Sequence, residues 1–275
     1  MASLSKGLTA CRDGDLITVR EMLASGELDP VTERGKHDSS AIHWAAGSGH
    51  ADIVCCLLDF ERCGGDRDDD AGSNNISDRG GDGSSCDGLR IGKSLDGGPH
   101  VLLNQRDKRS GRTAVHWAAR NGHAALLEML AVRYKSAVNL DVATFDGTTP
   151  FQLAAWAGHK EVCELLLRLG ACTPGHVNSY GCNALHFACI AGREDMCRWL
   201  HSEACNVSAR VVQRQGHTAL HKAAWAGSHA ICAWLQVEVG LDPGCVREDV
   251  KGHTAADIAR IAGHTALAKE LLSRG

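Results

Sequence analysis

Residues 111–130 read GRTAVHWAARNGHAALLEML, residues 181–200 read GCNALHFACIAGREDMCRWL, and residues 216–235 read GHTALHKAAWAGSHAICAWL. Self-similarity at a fixed period constrains a fold more than any single motif. Each copy then supplies one supersecondary unit, and only its neighbours can bury that unit's apolar face. Glycines that follow a pair of small residues mark the register: Gly14, Gly49, Gly122, Gly158, Gly192, Gly227 and Gly263. Their successive separations are 35, 73, 36, 34, 35 and 36, so the 73 is one period plus an insertion of roughly 38 residues. Seven units account for nearly all of the 275 residues.

Within a unit the pattern predicts two short helices. In TALHKAAWAG (218–227), Thr218 can cap the free amides of the first turn, Ala223 and Ala224 permit close helix approach, and Gly227 ends the helix in a left-handed conformation. The following HAICAWLQVE places Ile231, Cys232, Trp234 and Leu235 at helical spacing. Neither helix buries its stripe alone; stacking does.

Six stretches carry a family resemblance in register: SAIHWAAGSGH (40–50), TAVHWAARNGH (113–123), TPFQLAAWAGH (149–159), NALHFACIAGR (183–193), TALHKAAWAGS (218–228) and TAADIARIAGH (254–264). The chain resembles the ankyrin-repeat family, whose signature is T-P-L-H-x-A-A followed by G-H and an apolar second helix. LTACRDGDLITVREML (8–23) matches only the Ala, Gly and second-helix positions, as a degenerate N-terminal cap would. The resemblance implies an all-α solenoid of stacked helix-turn-helix repeats with β-turn fingers. The units expected are about 1–30, 35–60, 106–140, 144–174, 178–208, 213–243 and 249–275.

Recurring histidines and cysteines raise the question of a catalytic or metal site. Gln152 and Asp257 stand where other copies carry the signature His, which a catalytic or metal-ligating role would not tolerate. The resemblance implies that His43, His116, His186 and His221 hydrogen-bond between neighbouring units. His50, His123, His159 and His264, at the next turn, are read as scaffold too. Cys163, Cys197 and Cys232 fall where other copies carry Val54 or Leu127, and so are expected as buried thiols. The chain contains no CxxC pair, which argues against a structural zinc site; Cys55, Cys56 and Cys63 form only a loose cluster. No cofactor or metal is expected, and the chain is read as non-enzymatic: a P-loop, a nucleophile elbow and a kinase signature are all missing.

The segment 61–105 interrupts the repeats. Residues 61–100 hold nine acids against five Lys or Arg and few large apolar residues, so a disordered, acidic Gly/Asp/Ser-rich insertion is expected. Asp66, Asp68 and Asp70 have calcium-loop spacing, but the Gly is displaced to Gly72 and the twelfth position is Ser77. Ser73, Ser77, Ser84 and Ser85 are candidate modification sites. The acidic segment could also occlude the basic finger at 106–112.

Composition excludes several classes. The formal net charge is only −4 and no basic block occurs, which argues against nucleic-acid binding. No apolar run reaches membrane-spanning length, and the N-terminus lacks a signal-peptide pattern. Thirteen irregularly spaced cysteines fit reduced thiols in the cytoplasm or nucleus better than a disulfide framework.

What remains is protein recognition by a monomeric adaptor or scaffold; the alternative is a recognition subunit of a larger enzyme complex such as a ubiquitin ligase. A solenoid gains a concave surface from the rotation between units. The resemblance implies that fingers and the two positions between A-A and G line it. Those positions include Arg120, Asn121, Trp156, Ile190 and Trp225; the fingers add Arg109, Arg112, Phe145 and Tyr180. These nine are the candidate partner-binding residues. Trp156 and Trp225, two repeats apart with Ile190 between them, would form an apolar strip, unless the tryptophans fold back on the adjacent fingers. Trp44 and Trp117, following the signature His, are expected in the core.

Overall fold

A computed structural model describes residues 4–35, 38–62, 101–135, 137–241 and 249–273 of the chain. Among the described residues the helices come in seven pairs: α1 (Lys6–Asp13) with α2 (Leu16–Ser25), α3 (Ala41–Ser48) with α4 (Ala51–Arg62), α5 (Ala114–Arg120) with α6 (Ala124–Arg133), α7 (Pro150–Ala157) with α8 (Lys160–Arg168), α9 (Ala184–Ile190) with α10 (Glu194–His201), α11 (Ala219–Trp225) with α12 (His229–Val237), and α13 (Ala255–Ile261) with α14 (Thr265–Ser273). The first helices stack in one row, α1 through α13, and the second helices pack behind them. Described residues contain no strand.

The capping residue explains why each first helix starts where it does. From α3 onward the N-cap is Ser40, Thr113, Thr149, Asn183, Thr218 or Thr254, and every one takes part in a capping box with the third helical residue. That partner is His43, His116, Gln152, His186, His221 or Asp257. Its side chain accepts from the N-cap amide in all six, and at Thr149, Asn183 and Thr254 the N-cap side chain in turn accepts the amide of that third residue. The signature position is therefore first a helix-start device, and Gln and Asp satisfy that requirement as well as His does.

The small pair then allows the row to close up. Ala45, Ala46, Ala118, Ala119, Ala154, Ala155, Ala188, Cys189, Ala223 and Ala224 are all 0% exposed. The seven register glycines all have positive φ, from 68° to 91°. At Gly49 a Cβ would lie 2.5 Å from the imidazole of His123, so the His of each G-H turn occupies space that the preceding glycine leaves open. His123 Nε2 also lies 3.0 Å from the Gly47 carbonyl, and His50 Nε2 lies 3.0 Å from the Arg12 carbonyl. Second-helix residues Ile53, Leu57, Leu127, Val162, Leu166, Cys197, Ile231 and Leu235 complete the core. Each large aliphatic side chain buried this way contributes roughly 1.5–3 kcal/mol.

The outer helices are laced by ion pairs between neighbouring units: Arg133–Asp59 at 2.9 Å, Arg168–Glu128 at 3.1 Å and Arg198–Glu238 at 2.7 Å. Being solvent-exposed, each adds little stability, but each satisfies its arginine.

The stack is continuous across the interruption. α3 packs directly on α5, and His43 reaches the backbone of residues 105 and 112. The edges of the segment expected at 61–105 belong to the repeats: α4 runs to Arg62, and Leu102 and Leu103 are buried. The calcium-like aspartates, the candidate serines and Cys63 lie outside the described residues.

Candidate functional site

The fingers are tight turns closed in a repeated way. The amides of Thr144, Asn178, Gln213 and Asp249 donate to the carbonyls of Thr148, Cys182, His217 and His253 at 2.9–3.0 Å, and Asp107 donates to Arg112 at 2.9 Å. Successive fingers are then tied tip to tip, Phe145 N–H to the Ser110 carbonyl, Ser179 to Asp146, Arg214 to Tyr180 and Val250 to Gln215, at 2.8–3.0 Å. This ladder fixes where the finger side chains project relative to the first helices.

The signature side chains lock the fingers onto the helix row. His43 Nδ1 accepts from the Ser40 amide at 3.2 Å, which places the proton on Nε2, 3.0 Å from the carbonyls of Gln105 and Arg112. Gln152 reproduces this atom for atom. Its Oε1 accepts from the Thr149 amide at 3.0 Å, and its Nε2 donates to the carbonyls of His176 and Cys182 at 2.9 and 3.0 Å. In His186 and His221 the buried Nε2 points toward the following finger, at His217 and His253, but falls short of hydrogen-bond geometry. Asp257 can only accept; it takes the Thr254 amide at 3.0 Å and an Arg260 donor at 2.8 Å. Burial pushes His116, His186 and His221 down to about 4, so they are neutral scaffold groups near neutral pH.

The cysteines match that picture. Cys163, Cys197 and Cys232 are at most 1% exposed, and burial pushes the Cys163 thiol up. The Sγ atoms of Cys189 and Cys197 stand 3.6 Å apart as thiols. Among the described residues no group of three or more His, Cys, Asp or Glu could hold a metal ion, and no helix is long and apolar enough to cross a membrane.

The surface between fingers and first helices gathers most of the nine candidates. Trp156 and Ile190 are each 38% exposed and Trp225 is 51% exposed, so these side chains face outward rather than folding away. Arg109, Arg112, Phe145 and Tyr180 line one groove of about 550 Å³, together with Asp146, Phe187 and Arg214. Ile190 and Trp225 line a second, apolar notch of about 200 Å³ with His217, Lys222 and Ile258. Arg120 is stacked between rings, its guanidinium carbon 5.5 Å from Trp117 and 5.2 Å from Trp156. Asn121 is engaged within the stack, its amide donating to the Gly47 carbonyl at 2.6 Å.

The slot after the signature position corrects an expectation. Trp44 and Trp117 are only partly buried, and Trp117 is flanked by Arg112, 5.3 Å from its ring, and by Arg120. Phe187 and Lys222 in the same slot line the groove and the notch. The slot sits at the margin of the core and faces the fingers. A signal for this was present: a lysine at 222 cannot occupy a core position without a partner. Arg214 and Asp146 were missed because a single charge in a mixed finger has no sequence signature.

A family model for ankyrin repeats in sets of three copies matches residues 91–175 and 169–246, and a single-repeat model matches 37–69. The nuclear factor NF-kappa-B p105 subunit of Gallus gallus is 28% identical over 165 residues, covering 56% of this chain and 15% of that protein. The E3 ubiquitin-protein ligase XBAT32 of Arabidopsis thaliana is 27% identical over 198 residues, covering 62% of this chain and 37% of the ligase. A probable E3 ubiquitin-protein ligase, XBOS32, of Oryza sativa subsp. japonica is 27% identical over 206 residues, covering 62% and 38%. The chain thus spans less than two fifths of the length of each of these relatives. With repeat models covering most of the sequence, and with six of the first helices among the described residues started by the same capping box, the chain belongs to the ankyrin-repeat family.

Proposed function

We propose that the protein recognises another protein through the finger-side face, the inner face of the solenoid, as a non-catalytic adaptor or scaffold. One observation carries this reading: Trp156, Ile190 and Trp225, large apolar side chains at successive equivalent positions, are all more than a third exposed. Side chains of this kind in a row usually mark an interaction site. Tryptophan and arginine are also the types that dominate binding energy when a partner covers them. The thirteen irregularly spaced cysteines suit a disulfide framework poorly, which supports a reducing compartment, cytoplasm or nucleus.

The test is affinity capture from lysate with the wild type and a Trp156→Ala, Trp225→Ala double variant whose fold is verified by circular dichroism. A partner held by the first and lost by the second supports the reading. Identical partners on both move the site off this face. The similarity to two plant ubiquitin ligases favours a second reading, substrate recognition within a ligase complex. That reading is supported if a captured partner becomes ubiquitylated only when the chain is present.

A further inference from the structure

The groove and the notch adjoin but differ in chemistry. We propose that together they receive one extended segment of a partner protein, with the carboxylate of an Asp or Glu in the groove and a large apolar side chain in the notch. This rests on the inner face being the recognition surface, and names what that surface reads.

The arginines provide the first argument. On the outer helices Arg133, Arg168 and Arg198 each pair with a carboxylate of a neighbouring unit. On the inner face, Arg112 and Arg214 make no ion pair among the described residues, although both line the groove. Arg112 is half-buried over Trp117, and its Nε is buried with no hydrogen-bond partner. Both arginines thus line the groove with no carboxylate among the described residues paired to them, and a carboxylate matches the planar fork of a guanidinium.

Asp146 decides between anions. It lines the same groove, where burial alone would raise it but hydrogen bonds from Thr144 and Thr148 hold it below the usual carboxylate range. A fixed negative charge beside the arginines penalises a phosphate dianion more than a carboxylate.

The notch follows directly. Phe187 in the groove and Ile190 in the notch are one turn apart on α9, and Arg214 and His217 belong to one finger. Trp225 and Ile258 supply the far wall. Because the groove and the notch share α9 and one finger, a single extended segment can present its acidic side chain to one and its apolar side chain to the other.

The experiment displays random dodecapeptides on phage against the full chain. Peptides with Asp or Glu near a large apolar residue should be enriched. Arg112→Gln, Arg214→Gln should weaken a selected peptide about tenfold or more, by less at high salt. Changing the peptide's Glu to Gln should weaken native binding similarly and add little in the variant. Ile190→Ala should remove the apolar preference alone. Arg214→Gln by itself, at an exposed position, keeps the test valid if Arg112 variants fold poorly. Enrichment with no acidic preference overturns this inference while leaving inner-face recognition standing, and absence of any enriched peptide overturns it independently of the lysate experiment. Tighter binding of a phosphoserine peptide than of its Glu counterpart overturns the carboxylate assignment.

Discussion

His43 Nε2 lies 3.0 Å from the carbonyl oxygen of Arg112, sixty-nine positions further along the chain. Arg133 and Asp59, seventy-four positions apart, meet at 2.9 Å across the same insertion. Register between the second and third units is thus held at the fingers and at the outer helices by residues flanking the insertion. Replacing residues 64–100 with a short Gly/Ser linker is therefore expected to leave the melting temperature within a few degrees, because loop closure cost varies slowly with length. Calorimetry checks this; a fall of more than about 10 °C, on the order of 2 kcal/mol or more at this size, would show that the segment supports the stack.

Gln152 supplies a natural design for a second experiment. His116, His186 and His221 titrate near 4 in the folded chain against about 6.5 when unfolded. Between those values the unfolded state binds more protons, so folding stability falls as pH drops from about 6.5 to about 4, on the order of 1–3 kcal/mol per histidine. His43 shifts in the same direction through burial. The triple variant His116→Gln, His186→Gln, His221→Gln should lose much less stability between pH 7 and 4.5, with the remaining loss left to carboxylates such as Asp257, which the Thr254 hydrogen bonds hold low. Urea midpoints at the two pH values decide it. An unchanged pH dependence would show that the histidines are not the acid-sensitive joints.

Much of this architecture is legible in sequence because period and punctuation are local. The register glycines, the Ser/Thr/Asn caps and the Ala pairs each act within one turn, so a short phrase specifies each. The reciprocal capping role of His43 or Gln152 was not legible, since it depends on which atom faces which amide. The site was half legible. Exposure of Trp156 and Trp225 follows from their helical position, but the groove forms where Arg112, Phe145, Tyr180 and Arg214 from different fingers converge. That convergence depends on the tip-to-tip hydrogen bonds, which leave no trace in composition. Trp117 shows the same limit: a tryptophan after a core position reads as core until Arg112 and Arg120 are seen on its two flanks.

Thiol chemistry should divide the cysteines sharply. Burial pushes Cys11 up to about 12 and holds Cys163 and Cys189 well above the ordinary thiol range, and all three are 0% exposed. Only thiolates react, so mass-spectrometric mapping after brief iodoacetamide treatment at pH 7.5 should find these three unmodified in the native chain and alkylated in urea. Rapid native labelling of Cys163 would contradict its place between the helix layers.

Two glycine substitutions separate backbone strain from packing between units. Gly26 has φ of 74° and an added Cβ there would meet nothing within 4 Å, whereas Gly122 has φ of 84° and its Cβ would lie 2.6 Å from His159 Nδ1. Gly26→Ala therefore bears only the left-handed backbone cost, roughly 1–2 kcal/mol. Gly122→Ala bears that cost and must also displace the imidazole of the next repeat, so it should lose at least about 1 kcal/mol more in urea unfolding. Combining it with His159→Ala should recover part of the difference, since the second change removes the ring that the new methyl strikes. Equal losses for the two glycine variants would mean that the ring moves aside freely. The G-H pair would then be a turn signal alone, with no part in joining one repeat to the next.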